Sequence, residues 1–305
     1  MPARTFHHSA YTAKAIADAC AEQELGVTVC LPARDCAATV GEIVAALVPL
    51  REAGAVERIV VVDAASSDRT ASVAERAGAE VWQEGELLPS FGPVLGKGDA
   101  MWRALSRIDS QLVCFIDADS EHFSAHFVTG LLGPLVCEPD VAFVKGFYRR
   151  PLAGDGGSGD GSAAPVAGST AAPAAPAEGG GRVNHLTARP ALALFYPELA
   201  EIRQPLAGEV AARRDVLERV PFATGYGVEI AMLIDVWHDV GLAQIAQVDL
   251  EEHHNQHQPL SALAPMALTV LATLARRMEQ EGRLAFGVGD HAPPERPPLA
   301  SLPVG

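Results

Sequence analysis

The sequence predicts an α/β fold: a Rossmann-type, mostly parallel sheet flanked by helices, with a mainly helical C-terminal region. Three observations support this prediction. Short β-rich segments alternate with amphipathic helical segments over the first half of the chain. Apolar strand-like segments stop at polar residues, as strands do where a ligand binds beyond their carboxyl ends. The chain of 305 residues is long enough for one large domain or two modest ones. Hydrophobic residues make up 49% of it, enough for a sizeable core.

The alternation is clearest in the first half of the chain. "GVTVCLPARD" is a β-rich segment, and the pattern of "CAATVGEIVAALVPLREAG" predicts an amphipathic helix after it. "ERIVVVDAASSDRTASVAERAGAEVW" predicts a strand, a polar turn, a helix and a further strand. "GKGDAMWRALSRI" predicts a turn and a helix, and "QLVCFIDADS" the next strand. We expect residues 1–150 to form one α/β unit around these strands.

The composition changes after residue 150. Residues 151–181 are rich in Gly, Ala, Pro and Ser, which predicts a flexible loop. Residues 182–286 return to ordered patterning, which is mostly helical up to about residue 220. A helix in "YGVEIAMLIDVWHDVG", a strand in "AQIAQVDL" and a long helix in "SALAPMALTVLATLARRMEQEG" follow. The Pro-rich tail, residues 287–305, is predicted to be disordered.

The charge and the cysteines argue against several classes of protein. A formal net charge of −15 disfavours nonspecific binding to nucleic acid or to an anionic membrane. The five cysteines include no CxxC pair, which favours reduced thiols in a cytoplasmic protein. The N-terminus lacks the uninterrupted apolar core of a signal peptide, and no segment is long and apolar enough to span a membrane.

Two aspartates, Asp117 and Asp119, stand where the apolar segment "LVCFI" stops. Isolated carboxylates are costly to bury inside a strand, but at its end they can face an opening. Residues i and i+2 of an extended segment point the same way, so the pair could share a hard cation such as Mg²⁺ or Mn²⁺. The alternative is that Asp119 or Ser120 caps the helix that follows.

Two further segments offer groups suited to a nucleotide. "VVVDAASSDRT" places a carboxylate, hydroxyls and backbone N–H groups where a strand gives way to a helix. "LGKGDAMWRAL" places Lys97 between two glycines just before a helix, where its ammonium could lie beside a phosphate. The alternative is an ordinary glycine turn with a solvated lysine. No GxGxxG follows the strand, which argues against a dinucleotide-binding domain.

An ordered set of motifs resembles a retaining GT-A-fold glycosyltransferase: "LPARD", "IVVVDAASSDRTASVAERAGAEV", "GKGDAMWRAL", "FIDAD", "VKGFYRRPL", "GGGRV", "GYGVEI" and "QVDL…QPL". The closest family is that of the glucosyl-3-phosphoglycerate synthases with their mannosyl relatives. The resemblance implies transfer of glucose from a nucleotide sugar, with UDP-glucose expected, to 3-phosphoglycerate. It also implies Mg²⁺ or Mn²⁺ as cofactor and a homodimer. Residues 1–150 would bind the nucleotide sugar, and residues 182–286 would bind the acceptor and complete the metal site.

The resemblance also implies roles for single residues. The donor would be bound by Pro32, Ala33, Ser66, Lys97, Asp117, Tyr226 and Glu229. The metal would be bound by Asp117, Asp119 and one histidine, His254 or His257, between which the sequence does not choose. The acceptor would be bound by Gly181, Arg182, Asn184, His253 and His257. The catalytic set would be Asp119, Lys97, Leu206 and Glu229, with the backbone of Leu206 near the anomeric carbon.

Some positions depart from the family's pattern. Cys36 stands where an acidic residue near the ribose is usual, and Asn184 where a threonine touches the acceptor. In "EEHHNQHQPL", ungapped matching puts His253 at the place of an arginine and Asn255 at the metal-binding histidine. A shift by one residue would bring His254 to the metal instead. These departures weaken the expected acceptor site, although Arg149, Arg150 and Arg182 still supply cations.

Other functions stay open at this point. Breaking a sugar–phosphate bond leaves charge on the diphosphate, which a divalent cation and Lys97 would stabilise. The same fold could transfer mannose or use a different small anionic acceptor. A nucleotidyltransferase also binds nucleotides on an α/β sheet, but "LPARDCAATV" lacks the Gly- and Arg-rich loop usual there. A non-catalytic nucleotide-sugar-binding protein is the remaining alternative.

Overall fold

The computed structural model describes residues 3–150, 181–253, 259–285 and 292–302. The strands within these residues are β1 (Arg4–His7), β2 (Val27–Ala33), β3 (Arg58–Asp63), β4 (Glu80–Gln83), β5 (Leu112–Phe115), β6 (Phe143–Arg149), β7 (Val210–Arg213), β8 (Phe222–Ala223), β9 (Ile245–Glu252) and β10 (Glu295–Arg296). The α-helices are α1 (Ala13–Glu22), α2 (Val40–Glu52), α3 (Thr70–Ala77), α4 (Lys97–Leu105), α5 (His126–Cys137), α6 (Arg189–Phe195), α7 (Arg214–Arg219), α8 (Val228–Val240) and α9 (Leu260–Gln280).

Eight of the strands form one sheet in the order β1-β9-β6-β7-β5-β2-β3-β4. All neighbours in it run parallel except β7, which is antiparallel to both β5 and β6. The predicted fold class, a mostly parallel sheet flanked by helices, is confirmed. Strands from before residue 151 and after residue 180 alternate within this sheet. The two predicted halves therefore share one sheet instead of forming separate units.

The sheet has an apolar core on each face. One core lies between the sheet and helices α1, α2, α3 and α5, and it contains Ile43 and Leu131. The other is formed with α4, α6, α7, α8 and α9, and it contains Trp102 and Leu233. Because both faces are covered, inner strands such as "RIVVVD" of β3 are continuous apolar segments. Among the described residues, no helix is long and apolar enough to cross a bilayer.

One segment differs from the helical pattern that the sequence predicts. Residues 183–220 contain the strand β7, which lies between β5 and β6. Its residues Val210, Ala211 and Ala212 are buried. Small side chains fit between two covered strands, so burial in the sheet overrides the local pattern there.

The C-terminal tail differs from the predicted disorder over residues 292–302. β10 pairs antiparallel with β8. The buried Arg296 donates hydrogen bonds to both carboxylate oxygens of Asp99, at 2.7 and 2.8 Å, and Trp102 Nε1 donates to the Pro297 carbonyl at 2.8 Å. The tail is thus held by single side chains far away in sequence, which a Pro-rich composition does not reveal. The rest of the tail, residues 287–291 and 303–305, lies outside the described residues.

Replacing Arg296 with alanine is expected to lower the free energy of unfolding by roughly 2–4 kcal/mol, because the buried Asp99 loses a bidentate partner. Urea unfolding of the Arg296→Ala chain beside the parent measures this. The control is Arg76→Ala, which removes an exposed arginine from α3 and should change stability by less than about 0.5 kcal/mol. An Arg296→Ala effect as small as that of the control would contradict the stabilising role of the tail.

Candidate functional site

A cavity of about 740 Å³ opens beyond the carboxyl ends of β2 and β5, where a ligand is expected on a parallel sheet. The residues that line it come from two parts of the sequence, one before residue 151 and one after residue 180. They include Asp35, Cys36, Thr39, Lys97, Asp117, Asp119, Tyr148, Arg150, Gly181, Arg182, Asn184, Leu206, Tyr226 and Glu229. Most of the site residues expected from the sequence therefore meet at this cavity.

The two aspartates lie on the turn after β5, and both line the cavity. Neither caps a helix, because α5 begins only at His126 and no side chain caps its N-terminus. Ser120 does not cap α5 either; its Oγ lies 2.9 Å from His253 Nε2. The helix-cap alternative is therefore contradicted, and the pair Asp117 and Asp119 is available to a cation.

Close packing from two sides holds this acidic turn in place. Thr39 Oγ1 donates a hydrogen bond to the backbone carbonyl of Ala118 at 2.6 Å. On the other side, a Cβ atom added to Gly208 would lie 2.4 Å from both carboxylate oxygens of Asp117. Position 208 thus needs a residue without a side chain for the segment before β7 to approach Asp117 this closely.

Lys97 connects three elements at the cavity wall. It is the first residue of α4, and its Nζ lies 2.5 Å from Asp117 Oδ1 and 2.8 Å from Glu229 Oε1 on α8. Burial by itself would lower the pKa of Lys97, but the two carboxylates raise it well above its usual value. A Cβ atom at Gly98 would meet the Ala223 carbonyl at 1.8 Å, so glycine allows α4 this close approach. Lys97 is therefore a fixed cation beside the acidic turn.

The side chains around Lys97 suit a hard divalent cation. Asp117, Asp119 and Glu229 present three carboxylates to the cavity, and Lys97 pairs with two of them. Burial and the negative charge of Asp117 raise the pKa of Asp119. A bound cation would stabilise the ionised form of Asp119 and so oppose this shift. Carboxylate oxygens are the ligands that Mg²⁺ and Mn²⁺ prefer. The expected histidine ligand, His254 or His257, lies outside the described residues, as does Asn255.

A chain of buried polar side chains lies behind this wall. Glu209 is completely buried, with one carboxylate oxygen 3.2 Å from His253 Nε2 and the other accepting from the Tyr148 hydroxyl at 2.9 Å. Arg150 Nη2 donates to the same hydroxyl at 2.9 Å. Burial alone would raise the pKa of Glu209, but the charges of His253 and Arg150 outweigh it and lower that pKa. The Glu209 carboxylate therefore contacts two side chains, His253 and Tyr148, and Tyr148 links it to Arg150.

The position of His253 corrects the sequence-based expectation that it contacts the acceptor. Its side chain is buried and does not line the cavity. The ring stacks on Tyr148, with 4.4 Å between ring centroids and 19° between planes, and Nε2 faces Ser120 and Glu209. The physical reason is that a carboxylate buried as fully as Glu209 needs polar partners, and His253 Nε2 lies 3.2 Å from it.

The expected acceptor residues Gly181, Arg182 and Asn184 line one part of the cavity, together with Arg150. Asn184 Nδ2 donates to the Arg203 carbonyl at 3.2 Å. Its Oδ1 is buried and has no hydrogen-bond partner among the described residues. Two guanidinium groups and one unsatisfied amide oxygen suit a small anion that carries a hydroxyl group. His257, also expected here, lies outside the described residues.

The segment around Leu206 is held rigidly at the cavity wall. The Gln204 side chain accepts from the backbone N–H of Tyr148 at 3.0 Å and donates to its carbonyl at 2.6 Å. Lys145 Nζ donates to the Ala207 carbonyl at 2.7 Å. Burial lowers the pKa of Lys145 to about 8. The backbone next to Leu206 is thus fixed on both sides, as a segment that presents its backbone to a ligand must be.

The residues expected at the donor end divide into two groups. Tyr226 lines the cavity with its side chain largely exposed. Pro32, Ala33 and Ser66 do not line it and stand at its edge, after or near the end of β2 and β3. Ser66 Oγ accepts a hydrogen bond at 2.9 Å from the backbone N–H of Asp35, which does line the cavity. The edge residues therefore support the wall at this end.

Several residues of the site were not identified from the sequence. Lys145 had a visible signal, because a lysine inside the apolar segment "VAFVKGFY" is buried only with a dedicated partner. Glu209 is similar, since "QPLAGEVAAR" places a carboxylate at the start of an apolar strand. Thr39 and Tyr148 gave no such signal, because their roles depend on the backbone and ring that pack against them.

The chain is similar to known glycosyltransferases in sequence and in structure. Residues 28–158 match the model of Glycosyl transferase family 2. The chain is 38% identical to a glucosyl-3-phosphoglycerate synthase of Petrotoga mobilis over 284 residues, 92% of this chain and 82% of the relative. It is 42% identical to that of Mycolicibacterium paratuberculosis over 252 residues, 82% of this chain and 72% of the relative.

Two solved structures are similar over almost the whole chain. The mannosyl-3-phosphoglycerate synthase of Rubrobacter xylanophilus superposes with a TM-score of 0.85 at 39% identity, covering 98% of this chain and 97% of that one. The glucosyl-3-phosphoglycerate synthase of Mycobacterium tuberculosis, in complex with Mn²⁺, UDP-glucose and phosphoglyceric acid, gives a TM-score of 0.81 at 34% identity, covering 98% and 99%.

Replacing Gly208 with alanine is expected to weaken Mn²⁺ binding at least about tenfold, because the new methyl group displaces the Asp117 carboxylate. Electron paramagnetic resonance of free Mn²⁺, in the presence of uridine diphosphate, measures the affinity. Gly85→Ala is the matched control, since a Cβ atom there meets nothing within 4 Å. Equal Mn²⁺ affinity in the two variants, with both folded by circular dichroism, would contradict the close-approach argument.

Proposed function

The chain belongs to the glucosyl-3-phosphoglycerate synthase family of glycosyltransferases, and we propose that it transfers glucose from UDP-glucose to 3-phosphoglycerate. One observation carries this function: a single cavity holds the pair Asp117 and Asp119 with Lys97, and also the guanidinium groups of Arg150 and Arg182. The first set suits a metal-bound diphosphate and the second a small anion. The similar enzyme of Mycobacterium tuberculosis has been solved with Mn²⁺, UDP-glucose and phosphoglyceric acid.

At the donor end, the chain supplies both charge and position. Mg²⁺ or Mn²⁺ at Asp117 and Asp119 would stabilise the charge that develops on the diphosphate as the sugar–phosphate bond breaks. Lys97, held by two carboxylates, places a further positive charge at this point without reorganisation. Glu229 and Tyr226, on the same wall, would hold hydroxyl groups of the sugar.

At the acceptor end, Arg150 and Arg182 would bind the carboxylate and phosphate of 3-phosphoglycerate, and Asn184 Oδ1 would accept from its hydroxyl. The acceptor oxygen forms a bond to the anomeric carbon on the face that the diphosphate leaves. Its proton passes to the departing phosphate oxygen, so the configuration is retained without a protein nucleophile. The fixed backbone near Leu206 positions the two substrates for this step.

Purified chain is expected to form glucosyl-3-phosphoglycerate from UDP-glucose and 3-phosphoglycerate with Mn²⁺ or Mg²⁺, and EDTA should abolish the reaction. Release of uridine diphosphate and the product mass measure it. GDP-glucose and GDP-mannose in place of UDP-glucose, and glycerate in place of 3-phosphoglycerate, form the comparison set. Asp119→Asn should lower turnover at least about a hundredfold, because it removes a metal ligand's charge.

The outcomes of this panel separate the candidate functions. Metal-dependent donor hydrolysis without transfer to 3-phosphoglycerate would keep glycosyl transfer and contradict the acceptor. Transfer from GDP-mannose in preference to UDP-glucose would contradict the donor. Nucleotide binding without any turnover would support a non-catalytic binding protein instead. Asp119→Glu, which keeps the charge, is the control that separates loss of the metal from loss of the fold.

We further propose that the chain forms a homodimer. Four exposed leucines support an apolar contact surface: Leu186, Leu194, Leu268 and Leu271. Leu194 lies on α6 and the two last on α9, and both helices pack against the turn that contains Leu186. Exposed apolar side chains on neighbouring elements are typical of protein–protein contacts.

Light scattering of the purified chain is expected to give a mass twice that of the 31.9 kDa monomer. The double change Leu268→Glu and Leu271→Glu should yield monomers, because it places charge within the apolar surface. Val94→Glu, which changes an exposed apolar residue outside the four leucines, is the control and should remain dimeric. A monomeric parent, or dimers in the double variant, would contradict this surface.

We also infer a cytoplasmic location. All five cysteines are free thiols, and Cys20, Cys30 and Cys114 are buried. Unpaired thiols are usual where the surroundings are reducing, which is also where nucleotide sugars are made. Cell fractionation tests this location.

A further inference from the structure

Two adjacent histidines and a glutamate meet at the edge of the sheet, away from the cavity. His7 ends β1 and His8 begins the following 3-10 turn. Glu251 lies near the end of β9, the strand that pairs with β1 and places Asp249 opposite His7. None of these residues lines the cavity. The His7–His8–Glu251 cluster is thus a separate group of potential ligands.

The distances within the cluster fit one ion. Glu251 Oε1 lies 3.2 Å from His8 Nε2 and 3.8 Å from His7 Nε2, and one ligand atom from each residue lies within 4.8 Å of the others. Tetrahedral Zn²⁺ with bonds of about 2.0–2.1 Å separates its ligand atoms by about 3.3 Å. His8 and Glu251 already have this separation, and Nε2 of the exposed His7 lies 3.8 Å from the same carboxylate oxygen.

Both imidazoles direct Nε2 towards Glu251. His8 Nε2 is buried and has no hydrogen-bond partner among the described residues, and Glu251 Oε1 lies 3.2 Å from it. His7 Nδ1 accepts from the Ser9 backbone N–H at 3.2 Å and lies 2.8 Å from the Ser9 hydroxyl. A metal ion at His7 Nε2 would take the place of the proton there, and with the proton on Nδ1 instead, that atom can donate to the Ser9 hydroxyl. Ligating histidines usually have such a partner.

The carboxylate belongs to a residue with an uncommon backbone conformation. Glu251 has a left-handed backbone, with φ of +66°, and its N–H donates to Asp249 Oδ1 at 2.9 Å. This conformation is unfavourable for a residue with a side chain. His126 packs on His8 with 4.3 Å between ring centroids, so the His8 ring is held from the side away from solvent.

The geometry points to a Zn²⁺ site formed by His7 Nε2, His8 Nε2 and the Glu251 carboxylate, with water as the fourth ligand. Two imidazoles and one carboxylate are a ligand set that Zn²⁺ takes readily and that Mg²⁺ does not prefer. A bound ion would join the edge strand β1 to the end of β9. The chain continues from there to His253 behind the cavity wall, so the site would stabilise that wall from the outside.

Zn²⁺ binding to the full, metal-stripped chain tests the site, in competition with a chromogenic zinc indicator. A large excess of Mg²⁺ keeps a hard cation at the acidic turn. Co²⁺ provides a second readout, because four-coordinate Co²⁺ absorbs visible light much more strongly than six-coordinate Co²⁺. We expect one tight Zn²⁺ per chain and the four-coordinate Co²⁺ spectrum.

The variants assign the ion to its ligands. His8→Gln and Glu251→Gln should each weaken Zn²⁺ binding at least about tenfold and abolish the Co²⁺ spectrum. His238→Gln is the matched control, because His238 forms a surface pair with Glu281 at 2.9 Å that includes only one histidine. It should bind Zn²⁺ like the parent. Asp119→Asn should also keep the Zn²⁺ site, which separates this inference from the proposed transferase.

Two results would overturn the site. One is the absence of a tight Zn²⁺ in the parent chain, which would leave the cluster as an ion pair between histidines and Glu251. The other is Zn²⁺ binding that His8→Gln and Glu251→Gln leave unchanged, which would place the ion elsewhere. If His8→Gln does not fold, Glu251→Gln and His7→Gln change exposed side chains and keep the test decisive.

Discussion

The structure of the site depends on one partly buried ammonium group, that of Lys97, between Asp117 and Glu229. This contact ties the start of α4 to the turn after β5 and to the first turn of α8. Burying these charges contributes little net stability, because the loss of hydration offsets most of the attraction. What the contact supplies is geometry: three segments from separate parts of the chain are held at one point. Gly98 and Gly208 permit it, since a side chain at either position would overlap a neighbouring carbonyl or carboxylate.

A second layer of polar side chains, behind the cavity wall, connects the acidic turn to the part of the cavity that Arg150 lines. Burial alone would raise the pKa of Glu209, but His253 and Arg150 lower it. Tyr148 donates to one of its carboxylate oxygens, and Arg150 joins the same hydroxyl from the cavity. His253 also contacts Ser120, three residues beyond the first aspartate of the acidic turn. One buried carboxylate is therefore linked both to the acidic turn, through His253 and Ser120, and to Arg150 at the cavity, through Tyr148. A change at Glu209 would thus reach both ends of the cavity.

The parts of this site that could be predicted from the sequence are those with a local signal. Asp119 follows an apolar strand and Lys97 lies between glycines, and both residues line the cavity. The alternation of strands and helices likewise predicts the sheet. The partner of His253 could not be predicted, because Glu209 lies 44 positions away and the pairing follows only from shared burial. The ordered tail has the same origin: Arg296 reaches a carboxylate 197 positions back in the chain.

The positions of the structure show what the residues that depart from the family's pattern contact. His253 stands where the family has an arginine, but it contacts Glu209, and the cations Arg150 and Arg182 still line the cavity. Asn184, in place of a threonine, lines the same cavity, and its buried Oδ1 lacks a partner among the described residues. Burial raises the pKa of Cys36 to about 11, so its thiol stays neutral where an acid is usual. The adjacent residue 35 is an aspartate that lines the same wall, so a carboxylate is still present at the donor end. The substitutions therefore change which side chain supplies each group and preserve the chemistry of the cavity.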